Sequence, residues 1–144
     1  MERIHATCVL IKGKGVLLRG KPGSGKSDLA LRLMDDGAGL VADDYTELST
    51  QDGILYANAP TAIEGLLEVR GVGILRVGCV PRAPVTAIFD LVPLAEIERL
   101  PGAQTESIEG IDIPSFRLHG FDASAPAKVR MTLKALKENL FQST

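Results

Sequence analysis

The chain has 144 residues, of which 45% are hydrophobic and 24% charged, and its formal net charge at pH 7 is −2. These values are typical of a soluble globular protein and favour a single domain over residues 1–144. A slightly acidic balance gives no general attraction to nucleic acid or to anionic membranes, and no apolar run is long enough to span a bilayer. Without a signal-peptide pattern, we expect a cytoplasmic protein whose two cysteines, Cys8 and Cys79, are reduced and buried.

The first third of the chain alternates short strands with one helix. Aliphatic and β-branched residues predict strands over 4–11 and 15–20, joined tightly through the glycines between them. From Ser27 the apolar spacing becomes that of an amphipathic helix, which a pair of glycines then ends. The next segment, 39–44 ("GLVADD"), predicts a short buried strand that finishes in two aspartates.

The remainder of the chain predicts further strands and a closing helix. The Asp-Gly pair at 52–53 is the strongest hairpin signal. A β-rich run at 85–92 is predicted to be central in the sheet, 94–100 to be a short helix, and Pro126 to lie in the first turn of a terminal helix. Mixed strands and helices predict an α/β fold, a P-loop nucleotide-binding core with a mixed sheet and helices packed against it.

Residues 20–27, "GKPGSGKS", match the phosphate-binding loop pattern G-x-x-x-x-G-K-[ST] in full. Glycines let the backbone turn its N–H groups toward phosphate oxygens, and the following helix adds its N-terminal dipole. We expect Lys26 to bridge the terminal phosphates of ATP and Ser27 to hold Mg²⁺. The predicted nucleotide-binding residues are Gly20, Lys21, Pro22, Gly23, Ser24, Gly25, Lys26 and Ser27.

Asp43 and Asp44 end the predicted strand at 39–44. If the sheet is parallel there, the carboxyl end of that strand faces the same crevice as the phosphate loop. One carboxylate could then contact Mg²⁺ through water while the other takes a proton from an incoming hydroxyl; the alternative is a pair of solvated turn aspartates. Asp90 is the rival magnesium-sensing acid, ranked lower because the doublet offers both roles that phosphoryl transfer needs.

Three charged or titratable residues have a functional and a structural interpretation. His5 begins the first predicted strand and could reach the mouth of the loop, although lone histidines are common near surfaces and cores. Glu68 and Arg70 stand two apart in "LEVRG", and would share one face of a strand. A salt bridge explains that pair simply, whereas a bound metal or phosphate would also satisfy charges in an apolar stretch.

The stretch "HATCVLIKGKGVLLRGKPGSGKSDLALRLMDDGAGLVADD" and the segment "LLEVRGVGILRV" together resemble the catalytic domain of the bifunctional HPr kinase/phosphorylase family. "EVRGVGI" resembles that family's own signature, which is more specific than a P-loop. The resemblance runs from His5 to about Val77 and continues more weakly to the terminal helix. It implies the family's fold, ATP and Mg²⁺, and phosphorylation of a serine on HPr, the phosphocarrier protein of the sugar phosphotransferase system, with removal of that phosphate by phosphorolysis.

The resemblance also implies roles by position. Asp44 matches the aspartate that acts as base in phosphorylation and as acid in the reverse reaction, with Asp43 beside it. Glu68 matches a magnesium ligand within the signature, and Arg99 in "EIERLPG" matches a catalytic arginine. The residues implied to be catalytic are His5, Lys26, Asp44 and Arg99, and those implied to bind the metal are Ser27, Asp43 and Glu68.

Two further expectations come from the same resemblance. The family is hexameric, so a homo-oligomer is expected, and its full-length members carry an N-terminal domain, so this chain is expected to be a short form that begins at the catalytic core. The family's late loop, which is tied to phosphorolysis, corresponds to 113–128 ("IPSFRLHGFDASAPAK"), where little of its Pro, Arg and Gly pattern is present.

Two other functions stay open. A small-molecule P-loop kinase usually carries an arginine-rich lid, whereas Arg70, Arg76 and Arg82 are spread out here. A non-enzymatic regulator would bind ATP and transfer nothing. A GTPase switch is disfavoured because the chain has no N-K-x-D motif for reading guanine.

Overall fold

In the computed structural model, which describes residues 1–142, the chain forms eleven strands and two α-helices. In chain order they are β1 (Glu2–His5), β2 (Thr7–Ile11), β3 (Lys14–Arg19), α1 (Lys26–Asp35), β4 (Gly39–Ala42), β5 (Tyr45–Gln51), β6 (Ile54–Asn58), β7 (Leu66–Val69), β8 (Gly73–Arg76), β9 (Ala83–Leu91), β10 (Thr105–Ile108), β11 (Ile111–Leu118) and α2 (Ala125–Glu138). Single 3₁₀ turns cover Thr61–Ile63 and Leu94–Glu96.

Nine of these strands form one mixed sheet, seven of them in the order β1-β5-β6-β9-β3-β2-β4. The other two branch from this path: β11 pairs with β9, and β10 pairs with β11, while β7 and β8 form a separate hairpin. β3 is parallel to β9, and β9 to β11. β2 is antiparallel to both β3 and β4, so β4 runs in the same direction as β3 although the two are not neighbours. The prediction of a mixed-sheet α/β fold with 85–92 at its centre is confirmed.

The core lies on both faces of the sheet because successive strand residues point to opposite sides. Leu18 and Phe89 pack on the face that both helices cover, whereas their neighbours Leu17 and Ile88 pack on the other face. The helix-side cluster includes Val9, Val16, Leu29, Leu33, Val129 and Leu133, and the opposite cluster includes Cys8, Val41, Leu48, Leu55 and Ile113. The two helices therefore cover one face of the sheet, and the phosphate loop leads from β3 into the first of them.

Two local predictions are confirmed. The hairpin between β5 and β6 turns at Asp52 and Gly53, whose φ angles of 52° and 77° are those of the expected two-residue turn. Pro126 lies in the first turn of α2, where its missing N–H costs no helical hydrogen bond. Neither helix within residues 1–142 is long and apolar enough to cross a membrane.

Three predictions need correction. The strand predicted at 4–11 breaks at Ala6, because β1 pairs with β5 while β2 pairs with β3 and β4. The helix predicted at 94–100 is a single 3₁₀ turn. Of the two thiols, Cys8 is fully buried and its burial raises its pKa to about 12, but Cys79 is only partly buried.

Candidate active site

The phosphate loop joins β3 to α1 at the carboxyl edge of the sheet. Gly23 and Gly25 adopt φ angles of 83° and 99°, which residues other than glycine rarely adopt. The backbone N–H of Ser24 donates to Lys21 O at 3.0 Å and closes a tight turn. The Ser24 hydroxyl is buried and has no hydrogen-bond partner among the described residues. A buried hydroxyl without a partner is costly, so a phosphate oxygen fits this loop.

Lys26 begins α1 and folds back over the loop. Its side chain is almost fully buried, and its Nζ donates to the carbonyl oxygens of Gly20 at 2.9 Å and Lys21 at 3.4 Å. A buried ammonium needs such acceptors, and phosphate oxygens would replace them with a full opposite charge. The predicted phosphate-binding lysine thus has its charge at the loop.

The Asp43 carboxylate is held from three directions. Ser27 Oγ and Thr7 Oγ1 donate to Asp43 Oδ1 at 2.7 and 3.1 Å, and the backbone N–H of Glu68 donates to Oδ2 at 3.2 Å. These donors come from α1, β2 and β7, which meet at the end of β4. Ser27 and Asp43, predicted to bind the same metal, therefore lie in direct contact.

Asp44 faces a different partner from its neighbour. Because β4 ends at Ala42 and Asp44 adopts a left-handed φ of 68°, the two consecutive aspartates diverge. Asp44 Oδ1 lies 2.6 Å from Nε2 of His5, while its backbone N–H donates to Thr7 Oγ1 at 3.2 Å. Both side chains of the His5–Asp44 pair are open to solvent. The pair therefore presents a carboxylate and an imidazole beside the loop, where an incoming hydroxyl group can reach them.

The signature hairpin β7–β8 stands next to this group. Glu68 reaches Asp43 through its backbone, and its own side chain is exposed. β7 ends at Val69, so Arg70 lies in the turn beyond the strand, and the expectation that Glu68 and Arg70 share one strand face is wrong. Glu68 and Arg70 form no ion pair among residues 1–142.

No ion pair joins Arg99 to the phosphate loop among residues 1–142. Arg99 lies in an exposed stretch without helix or strand after the Leu94–Glu96 turn, and forms no ion pair elsewhere in the described part of the chain. Its catalytic role stays a prediction.

Asp90 has a structural partner. Arg19 donates to Asp90 Oδ1 at 2.8 Å and Oδ2 at 3.1 Å, and to Glu106 at 2.7 and 2.6 Å. The bonds from Arg19 hold the pKa of the Glu106 carboxyl below its ordinary value, while those to Glu106 and then Asp90 raise the pKa of Arg19. Asp90 is therefore tied to the residue that precedes the loop.

Sequence reasoning missed a cavity of about 520 Å³ on the β9 side of the loop. Arg117, His119 and Phe121 line it; none was named as a site residue, although all three lie in the segment 113–128 that the resemblance matched to the family's late loop. The available signal was their position at the end of a strand-like run, but nothing local to the sequence shows that β11 pairs with β9.

The oxygen atoms of Ser27 and Asp43, on the β4 side of the loop, could serve as ligands for a magnesium ion that binds together with a nucleotide. Within residues 1–142, no group of three or more histidine, cysteine, aspartate or glutamate side chains is arranged to hold a metal. Mg²⁺ commonly binds through one or two carboxylates together with substrate phosphates. The Ser27 hydroxyl and Asp43 carboxylate, 2.7 Å apart, provide that kind of partial site.

Comparison with known proteins agrees with this geometry. The model of the HPr Serine kinase C-terminal domain family matches residues 1–80 of the 144. The chain belongs to this family. It is similar to the structure of the Hpr(Ser) kinase/phosphatase from Coxiella burnetii, with a TM-score of 0.86 and 26% identity over 97% of this chain and 99% of that chain. Membership of a kinase family implies a nucleotide substrate.

Sequence relatives carry the same family name. The HPr kinase/phosphorylase of Geobacillus thermodenitrificans is 37% identical over 126 residues, which cover 80% of this chain and 40% of the relative. That of Bacillus subtilis is 52% identical over 75 residues, covering 51% of this chain and 24% of the relative. The chain thus spans well under half the length of these relatives.

Proposed function

We propose that this chain is an ATP- and Mg²⁺-dependent protein-serine kinase whose acceptor is an HPr-like phosphocarrier protein. Support comes from the family, from the relatives' names, and above all from one observation: Asp44 lies against His5 at 2.6 Å while its neighbour Asp43 holds Ser27 at 2.7 Å. Phosphoryl transfer to a hydroxyl requires one group that accepts the hydroxyl proton and another that binds the metal, and Asp44 and Asp43 are placed to provide the two.

The loop and Lys26 would bind the phosphates. Backbone N–H groups and the helix N-terminus supply donors, and Lys26 exchanges its contacts with Gly20 and Lys21 carbonyls for phosphate oxygens. In the proposed site Ser27, Asp43 and Glu68 hold Mg²⁺. The ion, when bound with ATP, neutralises charge on the phosphate oxygens.

Asp44 would act as the general base. Its carboxylate is exposed enough to meet a serine hydroxyl from another protein. It would take the hydroxyl proton as the serine oxygen bonds to the γ-phosphorus of ATP and the bond from that phosphorus to ADP breaks. His5 orients this carboxylate through its ring nitrogen. Arg99 is proposed to offset charge on the transferred group.

Assembly and location complete the proposal. A homo-oligomer, hexameric by resemblance to the family, would bury the β7–β8 hairpin, where Val72 and Ile74 are each 69% exposed. Because ATP is the donor, we place the reaction in the cytoplasm. The proposed kinase occupies residues 1–144 as one catalytic domain.

Transfer from radiolabelled ATP tests the proposal. The purified chain is incubated with Mg²⁺, γ-labelled ATP and HPr from the same organism, and label is expected on a serine of HPr. Inorganic phosphate is then added, since the relatives are named as phosphorylases as well as kinases. Loss of label with formation of pyrophosphate would demonstrate phosphorolysis, and retained label would leave a kinase alone. Absence of label despite measured ATP binding contradicts the kinase proposal.

A further inference from the structure

The phosphate loop has two unlike sides. β4, β3, β9 and β11 all run in one direction, so their carboxyl ends share one edge of the sheet, where open α/β sheets bind ligands. On the β4 side lie Ser27 and the two aspartates. On the opposite side the loops that follow β9 and β11 enclose the cavity of about 520 Å³.

This cavity has the composition of a small-molecule site. Residues 20–24 of the phosphate loop form one wall, Val92 and Pro93 an apolar wall, and His119 and Phe121 an aromatic wall. Its volume lies within the usual range of ligand pockets, which combine apolar and aromatic walls with a few polar groups.

The loop that carries the two aromatic rings is held in place. Arg32 of α1 donates to the carbonyl oxygen of Asp122 at 3.0 Å and also to that of Gly120. On the other side, His119 Nδ1–H donates to Val92 O at 3.2 Å. The segment between β11 and α2 is thus attached both to the helix after the phosphate loop and to the loop after β9.

Phe121 is an exposed aromatic residue on this held segment. Its side chain is 56% exposed, and its ring meets that of His119 edge-on with centroids 6.1 Å apart. A Cβ placed on Gly25 would lie 3.2 Å from the Phe121 ring, so the ring rests directly on the phosphate loop. An apolar face presented to solvent beside an anion-binding loop is suited to stacking on a planar ring.

We propose that this cavity binds the nucleoside part of the nucleotide and that its base stacks on Phe121. The inference rests on the proposed kinase function and adds to it the place where the nucleoside of ATP, the phosphate donor, binds. If the transferred phosphate faces Asp44, the remainder of the nucleotide must leave the loop on the other side, where the cavity is. Stacking contacts the flat face of a base and forms no hydrogen bonds to its edge. The site therefore requires no N-K-x-D motif, which recognises the edge of guanine.

Comparing ATP with tripolyphosphate separates the nucleoside from the phosphates. Both ligands are titrated with Mg²⁺ into the whole chain by calorimetry, using the unchanged protein, Phe121→Ala and Phe121→Tyr. We expect Phe121→Ala to weaken ATP binding about tenfold while tripolyphosphate binding stays unchanged, because only the stacked ring is lost. Phe121→Tyr keeps the stacking face and should keep the ATP affinity.

Phe141→Ala is the matched control. Phe141 is also 56% exposed, but it stacks on Phe116 instead of lining the cavity. The control should bind both ligands like the unchanged protein, and circular dichroism confirms that each variant is folded.

Other outcomes overturn the inference. Equal weakening of both ligands by Phe121→Ala would mean that the ring acts only by supporting the phosphate loop. Unchanged ATP binding in that variant, or equal affinities of the unchanged protein for the two ligands, would show that the nucleoside lies elsewhere while the kinase proposal stands. Failure of ATP to bind at all contradicts both proposals, and normal ATP binding without label on HPr contradicts the kinase alone.

Discussion

The two sides of the phosphate loop differ in how their polar groups are bonded. On the β4 side, Asp43 accepts hydrogen bonds from three elements, and Asp44 contacts His5, the last residue of β1. On the β9 side, the carboxylate of Asp90 is already tied to Arg19, and the cavity combines apolar and aromatic walls with the charged side chains of Glu96 and Arg117. The proposed phosphoryl transfer requires carboxylates that are held in place, whereas binding a flat neutral base requires an apolar surface on which it can stack. The same edge of one sheet provides both.

Asp44→Asn should give the largest effect on the β4 side. Asparagine keeps the shape and accepts the left-handed φ of 68°, but it cannot take a proton. We expect kcat for transfer to HPr to fall by about 10²–10⁴-fold with ATP affinity unchanged. Rates with labelled ATP and calorimetric ATP binding measure the two quantities.

Asp52→Asn is the control for that substitution. Asp52 also adopts a left-handed φ, of 52°, but it lies in the β5–β6 turn. Its variant should transfer phosphate normally. Normal transfer by Asp44→Asn would contradict the base assignment, and loss of ATP binding would show that the carboxylate supports the nucleotide site instead.

Thr7→Val removes the hydroxyl that links the two aspartates. Thr7 is fully buried, donates to Asp43 at 3.1 Å and accepts from the Asp44 backbone at 3.2 Å. Valine has nearly the same shape, so Asp43 should lose orientation without a cavity being formed. We expect the Mg²⁺ concentration needed for half-maximal transfer to rise about tenfold, as when a group behind a metal ligand is removed.

Thr46→Val separates this effect from lost stability. Thr46 is equally buried, and its hydroxyl donates to Ala6 O at 2.8 Å and bonds neither aspartate. Thr46→Val loses one buried hydrogen bond, worth about 1 kcal/mol, whereas Thr7→Val loses two. A similar rise in the Mg²⁺ requirement in both variants would mean that Thr7 acts through stability alone.

The β4 side could be predicted from the sequence far better than the β9 side. The phosphate loop and the aspartate doublet are local patterns, and the short separation of β3, α1 and β4 leaves few ways to arrange them. His5 is 39 residues from Asp44, and their contact was not predicted. Its position at the start of the first strand indicated only that it could reach the mouth of the loop, and the resemblance implied its catalytic role. The roles of these residues stay predictions.

The cavity depends on pairings that no local pattern encodes. β9 lies parallel to both β3 and β11, and this arrangement brings 117–121 beside a loop almost 100 residues earlier. For the same reason Asp90 could be predicted to end a strand, but not to bind Arg19. The stretch around Arg99 has neither helix nor strand, so neither sequence pattern nor packing fixes its place.

Glu106→Gln should give the smallest effect, and it tests the ionic link beneath the cavity. Arg19 lowers the pKa of Glu106, so its ionised form stabilises the fold. This stabilisation is complete above the pKa of an unfolded glutamate, about 4.3, and is lost as the pH falls through the lower folded-state value. Because Glu106 is 41% exposed, we expect the variant to lose only about 0.5 kcal/mol of unfolding free energy at pH 7.

Urea unfolding from pH 7 down to about pH 3 measures this difference. The gap between the unchanged protein and Glu106→Gln should close as the pH falls, whereas Glu98→Gln, at an exposed position without an ion pair within residues 1–142, should show no gap at any pH. A gap that persists unchanged at low pH would assign the effect of Glu106 to packing. Because Asp90 alone would still hold Arg19 in this variant, ATP affinity should change little, which separates the stability of the β9 side from its binding surface.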